Sequence, residues 1–134
     1  MVSIDKGLIV PTIFNCDKLN VIQISKIRNN LVKKAREDRL SLEEVANGTF
    51  TITNLGMFGI KSFSAIINPP QAAILGIGKI YSTPAKINGK IDLKPVMELS
   101  ISVDHRIIDG ALAARFIQRI VELIENPEII ITLL

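Results

Sequence analysis

Met97-Glu98-Leu99-Ser100-Ile101-Ser102-Val103-Asp104-His105-Arg106-Ile107-Ile108-Asp109-Gly110 is the stretch whose reading decides the fold. Met97, Leu99, Ile101 and Val103 alternate with Glu98, Ser100, Ser102 and Asp104, the period of two that places one side-chain set on each face of a β-strand. From Gly110 the period changes, and Leu112, Phe116, Ile120 and Leu123 fall on one helix face that Asn126-Pro127 closes. A strand therefore feeds a helix through one short polar turn.

Upstream, Asn88-Gly89 between Ala85-Lys86-Ile87 and Lys90-Ile91-Asp92 signals a tight hairpin, because both central residues of a type I′ turn need positive φ. Ala72 to Gly78 reads as a wholly buried strand. Its Gly76-Ile77-Gly78 is a weak nucleotide-loop match, since no helix pattern follows. Asn68-Pro69-Pro70 breaks the chain, and Gly56 and Gly59 bracket a turn. Thr49-Phe50-Thr51-Ile52-Thr53 alternates hydroxyl with apolar side chains, so one strand face is expected to be buried and the other to carry the three threonines. Ser41-Leu42-Glu43-Glu44 has the capping-box form and predicts a short helical turn ending by Asn47-Gly48. Ile24, Ile27, Leu31 and Ala35 mark one face of an amphipathic helix, with Asn15 and Asp17 as possible N-caps. Leu8-Ile9-Val10 before Pro11 reads as a short buried strand. Helices and hairpins together predict an α+β fold, a mixed β-sheet covered by helices.

The composition bounds the function. With 134 residues and 48% hydrophobic side chains, the chain fits one globular domain and is too apolar to be disordered. Cys16 is the single cysteine, which excludes a disulfide framework, and with one histidine it cannot make a structural zinc site, so no metal is expected. The net charge of +3 is modest, and Lys33-Lys34-Ala35-Arg36 is followed at once by Glu37 and Asp38, so a solvated helix face is favoured over nucleic-acid binding. No stretch reaches the roughly 20 apolar residues of a membrane span. No targeting segment or repeat is visible, and a reducing intracellular compartment is the expectation. The Asn47-Gly48-Thr49 glycosylation match is then accidental.

Histidine exchanges protons near neutrality, and His105 stands where a strand ends in a turn, a place from which a side chain can face a cleft while the backbone stays fixed. From spacing alone, a general base and a histidine merely bonded into its turn are equally good readings. Asp109 could be a helix N-cap, Asp104 a turn former and Arg106 their partner. Thr53 alone would read as a β-former on a strand surface.

Asp104-His105-Arg106-x-x-Asp109-Gly110 resembles the active-site signature of the acyltransferase component of the 2-oxo acid dehydrogenase complexes, relatives of chloramphenicol acetyltransferase. The resemblance extends through Gly7-Leu8-Ile9-Val10-Pro11, Gly48-Thr49-Phe50-Thr51-Ile52 and Ile66-Ile67-Asn68-Pro69-Pro70-Gln71. It implies a chloramphenicol acetyltransferase-like fold truncated at the N-terminus: residues 1–134 match the C-terminal portion of the catalytic domain, without the lipoyl or partner-binding domains. Asn54-Leu55-Gly56-Met57-Phe58-Gly59-Ile60 resembles the pyruvate dehydrogenase branch, which transfers acetyl.

The reaction so implied is acyl transfer between coenzyme A, a substrate here, and dihydrolipoamide, whose lipoyl group rides on a domain absent from this chain. By resemblance His105 is the general base, Thr53 stands where the family uses a serine hydroxyl to stabilise the oxyanion, and Asp109 orders the active-site loop. The family's channel lies between subunits of a homotrimer, and trimers join into larger cores through an apolar C-terminus that Ile129 to Leu134 fits. Pyruvate dehydrogenase and dihydrolipoamide dehydrogenase are the implied partners, in bacterial cytoplasm or mitochondrial matrix. The alternatives are a non-catalytic remnant or core-forming scaffold of the same family, and an antibiotic acetyltransferase, which the long match outside the signature disfavours.

Overall fold

The computed structural model describes residues 1–87 and 89–133, and the chain divides into two compact units, Met1–Thr51 with Gln118–Leu134, and Ile52–Ile117. In the first, β1 (Val2–Ile4) and β2 (Gly7–Ile9) form an antiparallel hairpin with Val2 opposite Ile9 and Ile4 opposite Gly7. Gly7 has φ of 131°, which a side chain would strain. The expected buried strand at Leu8 is corrected: Leu8 is 60% exposed, because a two-stranded ribbon has nothing to bury both its faces.

Helix α1 (Val21–Arg36) starts at Asn20, not at Asn15 or Asp17. Asn20 Oδ1 accepts the Gln23 N–H at 2.9 Å and Gln23 Oε1 accepts the Asn20 N–H at 2.9 Å, a reciprocal cap that uses asparagine and glutamine where serine and glutamate are commoner. Asn15 instead takes a left-handed conformation before a 3-10 turn at Cys16–Lys18. Leu31 and Ala35 are buried and Ile24 is half-buried, as the spacing requires, whereas Ile27, expected on the same face, is 37% exposed. The basic run closes the helix, where positive charge complements the dipole. Lys34 pairs with Glu44 at 2.6 Å, and Lys6 with Asp38. The Ser41/Glu44 capping box forms as expected, with the Glu44 N–H donated to Ser41 Oγ at 3.2 Å and the Ser41 N–H to Glu44 Oε2 at 3.0 Å. Asn47 then turns the chain with φ of 57°. After Asn126 the chain forms a helix, α3 (Pro127–Leu133).

β3 (Thr51–Asn54), all but its first residue in the second unit, makes one sheet with β4 (Ala73–Ile77) and β7 (Leu99–Val103) in the order β3-β4-β7. β4 runs antiparallel to β7, with Ala73 opposite Val103 and Ile77 opposite Leu99. Residues 73–76 of β4 are buried and Ile74 is wholly so, as its unbroken apolar run predicts. β5 (Tyr81–Ile87) and β6 (Lys90–Val96) form a second antiparallel hairpin, in which Ile87 faces Lys90 across a two-residue turn. Gly89 has the required positive φ, 82°, while Asn88 lies outside the described residues. The class is α+β as expected, with the strands among the described residues distributed over three small sheets where one mixed sheet was expected.

Two expectations about faces are corrected. On β3, Thr51 and Thr53 point inward, at 2% and 6% exposure, while Ile52 is 53% exposed. Alternation identifies the two faces of a strand but not which one is covered. On α2 (Gly110–Glu125), Ala113 is the buried residue, and Leu112 and Phe116 are exposed, whereas Ile120 and Leu123 are half-buried as expected. The apolar arc of this helix is wide enough that spacing alone does not select its covered edge.

In the Gly76-Ile77-Gly78 pattern, Gly76 gives room to the Ser100 side chain and Gly78 to the Lys61 backbone. A Cβ on Gly76 would stand 2.5 Å from Ser100 Oγ, and one on Gly78 only 1.7 Å from the Lys61 carbonyl oxygen. Gly78→Ala is therefore expected to destabilise the chain by about 3 kcal/mol, since backbone must move, while Gly110→Ala, whose Cβ meets nothing within 4 Å, leaves thermal unfolding unchanged or slightly raised. Calorimetry of the two variants checks this, and equal melting temperatures would contradict it.

Candidate active site

The end of β7 is fixed by one residue. The Asp104 N–H donates to the Ala72 carbonyl at 2.8 Å, one residue before β4 begins, and its own carbonyl accepts the N–H groups of Ile107 at 3.1 Å and Ile108 at 3.0 Å. Its carboxylate accepts the Arg106 backbone N–H at 3.1 Å, while the Arg106 guanidinium reaches Oδ1 from Nε at 2.9 Å and Oδ2 from Nη2 at 2.5 Å. The Asp104 carboxyl is one-fifth exposed although the guanidinium is largely in solvent. Those bonds from the Arg106 side chain, then from its N–H, pull the Asp104 carboxyl down to about 2.

His105 is carried on this turn and is exposed. Among the described residues no group hydrogen-bonds its imidazole, which removes the reading of a histidine bonded into its turn. Asp109 ends the turn: its Oδ1 accepts the Leu112 N–H at 2.7 Å and its carbonyl the Ala113 N–H at 3.1 Å, so it is the N-cap of α2. A four-residue step from His105 to Asp109 thus ties the histidine's turn to the first turn of a helix.

Thr53 sits one residue before the end of β3, on the buried face. Below it the Asn54 side chain accepts the Gly56 N–H at 2.8 Å, and the Leu55 N–H donates to the Ile77 carbonyl at 3.2 Å. Gly56 lies so close to Gly78 that a Cβ there would be 2.7 Å from the Gly78 oxygen. Asn54 was not among the expected site residues; an asparagine two positions before a glycine at a strand end is the signal that finds such a turn.

The two anchors lie at opposite ends of β4. Ala72 holds the His105 turn and Ile77 holds the segment after Thr53, about 16 Å apart at the rise of an extended chain. The chain brings His105 and Asp109 into one turn, and among the described residues no hydrogen bond joins Thr53 to either. No group of three or more His, Cys, Asp or Glu side chains suited to a metal occurs among the described residues, and no helix there is long and apolar enough to cross a membrane.

Residues 1–132 match the model of the catalytic domain of the 2-oxoacid dehydrogenase acyltransferases. The dihydrolipoyllysine-residue acetyltransferase component of the pyruvate dehydrogenase complex from Rickettsia bellii is 43% identical over 130 residues, covering 97% of this chain and 31% of that protein. The dihydrolipoyllysine-residue succinyltransferase component of the 2-oxoglutarate dehydrogenase complex from Staphylococcus saprophyticus is 48% identical over 128 residues, covering 95% and 30%. Among solved structures, the dihydrolipoamide acetyltransferase of Azotobacter vinelandii superposes with a TM-score of 0.90 at 37% identity, over 97% of this chain and 54% of that one. The cubic core of a pyruvate dehydrogenase multienzyme complex gives 0.85 at 38% identity, over 90% and 50%. The chain spans about a third of the length of these curated relatives and about half of these solved chains.

The charged turn predicts a pH response whose sign is fixed by the depressed carboxyl. A folded value below the unfolded one stabilises the turn above the ordinary carboxylate range, and this contribution is lost as pH falls through about 2. Carbon-13 NMR of the Asp104 carboxyl should show a midpoint near 2; an ordinary carboxylate midpoint would show that the pair does not form. Asp109→Ala should cost about 1 kcal/mol through the lost cap, with Asp109→Ser recovering most of it in denaturant unfolding.

Proposed function

The chain belongs to the 2-oxoacid dehydrogenase acyltransferase family, and from that premise we propose that it transfers an acetyl group between dihydrolipoamide and coenzyme A. The carrying observation is an alignment of offsets. The Azotobacter vinelandii protein has been investigated for the catalytic roles of a serine, a histidine and an asparagine, the serine 52 residues before that histidine and the asparagine four after it. Thr53 and Asp109 stand at the same offsets from His105.

In this reading a nitrogen of His105 takes the proton from the coenzyme A thiol, and the thiolate attacks the thioester carbonyl of acetyl-dihydrolipoamide. The new carbon–sulfur bond moves the carbonyl electron pair onto oxygen, where the Thr53 hydroxyl donates a hydrogen bond. Collapse of that intermediate expels the dihydrolipoamide sulfur, which recovers the proton from His105. Asp109 acts through the turn, by capping α2, and touches no reacting atom. Thr53 on β3 and the His105 turn after β7 lie on either side of β4, which supports a site completed by a second copy, with the hydroxyl and the imidazole drawn from different subunits. The reading includes a homotrimer building a larger core, pyruvate dehydrogenase and dihydrolipoamide dehydrogenase as partners, and residues 1–134 as part of the catalytic domain.

Acetyl rests on the Asn54–Ile60 stretch. Succinyl is the second reading, favoured by succinyltransferase relatives, one of which matches at 48% identity.

Acetyl-coenzyme A and succinyl-coenzyme A offered with free dihydrolipoamide test both. Acetyl transfer should dominate, His105→Ala should lower turnover ~10²–10⁴-fold and Thr53→Val ~10²–10³-fold, with Thr53→Ser near the parent. Succinyl transfer alone would overturn the acyl assignment, and a folded assembly inactive with both donors would leave the scaffold reading.

A further inference from the structure

We propose that Arg106 is a positioning residue for His105, its guanidinium forked over both oxygens of Asp104 so as to lock the turn that carries the imidazole. The inference rests on the reading of His105 as the base. Two observations carry it. Among the described residues the imidazole has no hydrogen bond of its own, so its placement is set by the backbone of the turn. That backbone converges on Asp104, which is tied to β4 through Ala72, to Ile107 and Ile108 through its carbonyl, and to Arg106 through both carboxylate oxygens.

Remove the guanidinium and only the Arg106 N–H still holds the carboxylate, so Asp104 can rotate and the turn loosens on one side. A lysine supplies the charge but not the planar fork that spans two oxygens. Arg106 needs no contact with substrate for this. Its largely exposed side chain is expended on a neighbour two residues away, at the position next to the histidine.

Arg106→Ala and Arg106→Lys in the complete chain test the proposal by two readouts. In the acyl-transfer assay, Arg106→Ala should lower kcat ~10- to 100-fold with KM for coenzyme A unchanged, since small misplacements of a catalytic group cost about that much, and Arg106→Lys should recover only part. In amide hydrogen exchange, Arg106→Ala should speed exchange at Ile107 and Ile108 at least tenfold while β4 stays protected. A raised KM with unchanged kcat would overturn the proposal and make Arg106 a binding group. Unchanged exchange would overturn it whatever the activity. Faster exchange in a chain that transfers no acyl group would keep the turn lock and remove the reading of His105 as base.

Discussion

A strand buried on both faces can satisfy its backbone only through its neighbours, and that requirement on β4 organises the second unit. Unpaired N–H or C=O groups there would be left without water, so β3 must lie along one edge and β7 along the other. Both segments proposed to do chemistry are attached to the ends of this strand, one through Ala72 and the other through Ile77. The close approaches at Gly76 and Gly78 serve the same end: the Lys61 backbone comes so near Gly78 that a side chain there would force it to move, and at Gly76 the Ser100 hydroxyl, which donates to the Phe63 carbonyl at 2.7 Å, would have to shift. The site is thus held by backbone geometry, and side chains such as Asp104 and Asn54 only refine it.

Much of this was legible in the sequence wherever a rule is local. The Ser41/Glu44 box, the two-residue hairpin turn at Gly89 and the apolar run of β4 each follow from residues within a few positions of one another. What failed was long-range. Which face of β3 is covered depends on what lies over Thr51 and Thr53, and nothing within the strand records that. The edge of α2 that is covered, Ala113 over Leu112 and Phe116, is likewise a choice between two apolar stripes. At the helix start, Asn20 lost to Asn15 and Asp17 in the reading because its partner is Gln23, a weaker signal than glutamate. His105 and Asp109 are singled out by the resemblance of their motif to a family signature and not by spacing, and the motif does not record that among the described residues the imidazole has no hydrogen bond.

Ile52, Ile107, Leu112 and Phe116 are all large apolar side chains left in solvent around the segments that carry Thr53, His105 and Asp109. Single exposed apolar residues are ordinary, but several within the same short segments mark surface suited to cover by protein.

The β5–β6 hairpin touches this picture through time. In the chain it lies wholly between β4 and β7, whose nearest pairing, Ile77 with Leu99, would otherwise close a loop of some twenty residues. A hairpin turned at Gly89 closes in microseconds by local contacts alone. Once Tyr81 has met Val96, only a few residues on either side separate β4 from β7, and the entropy of bringing them together has already been met in small steps. The hairpin thus shortens the loop that β7, the strand leading into the His105 turn, has to close in order to pair with β4.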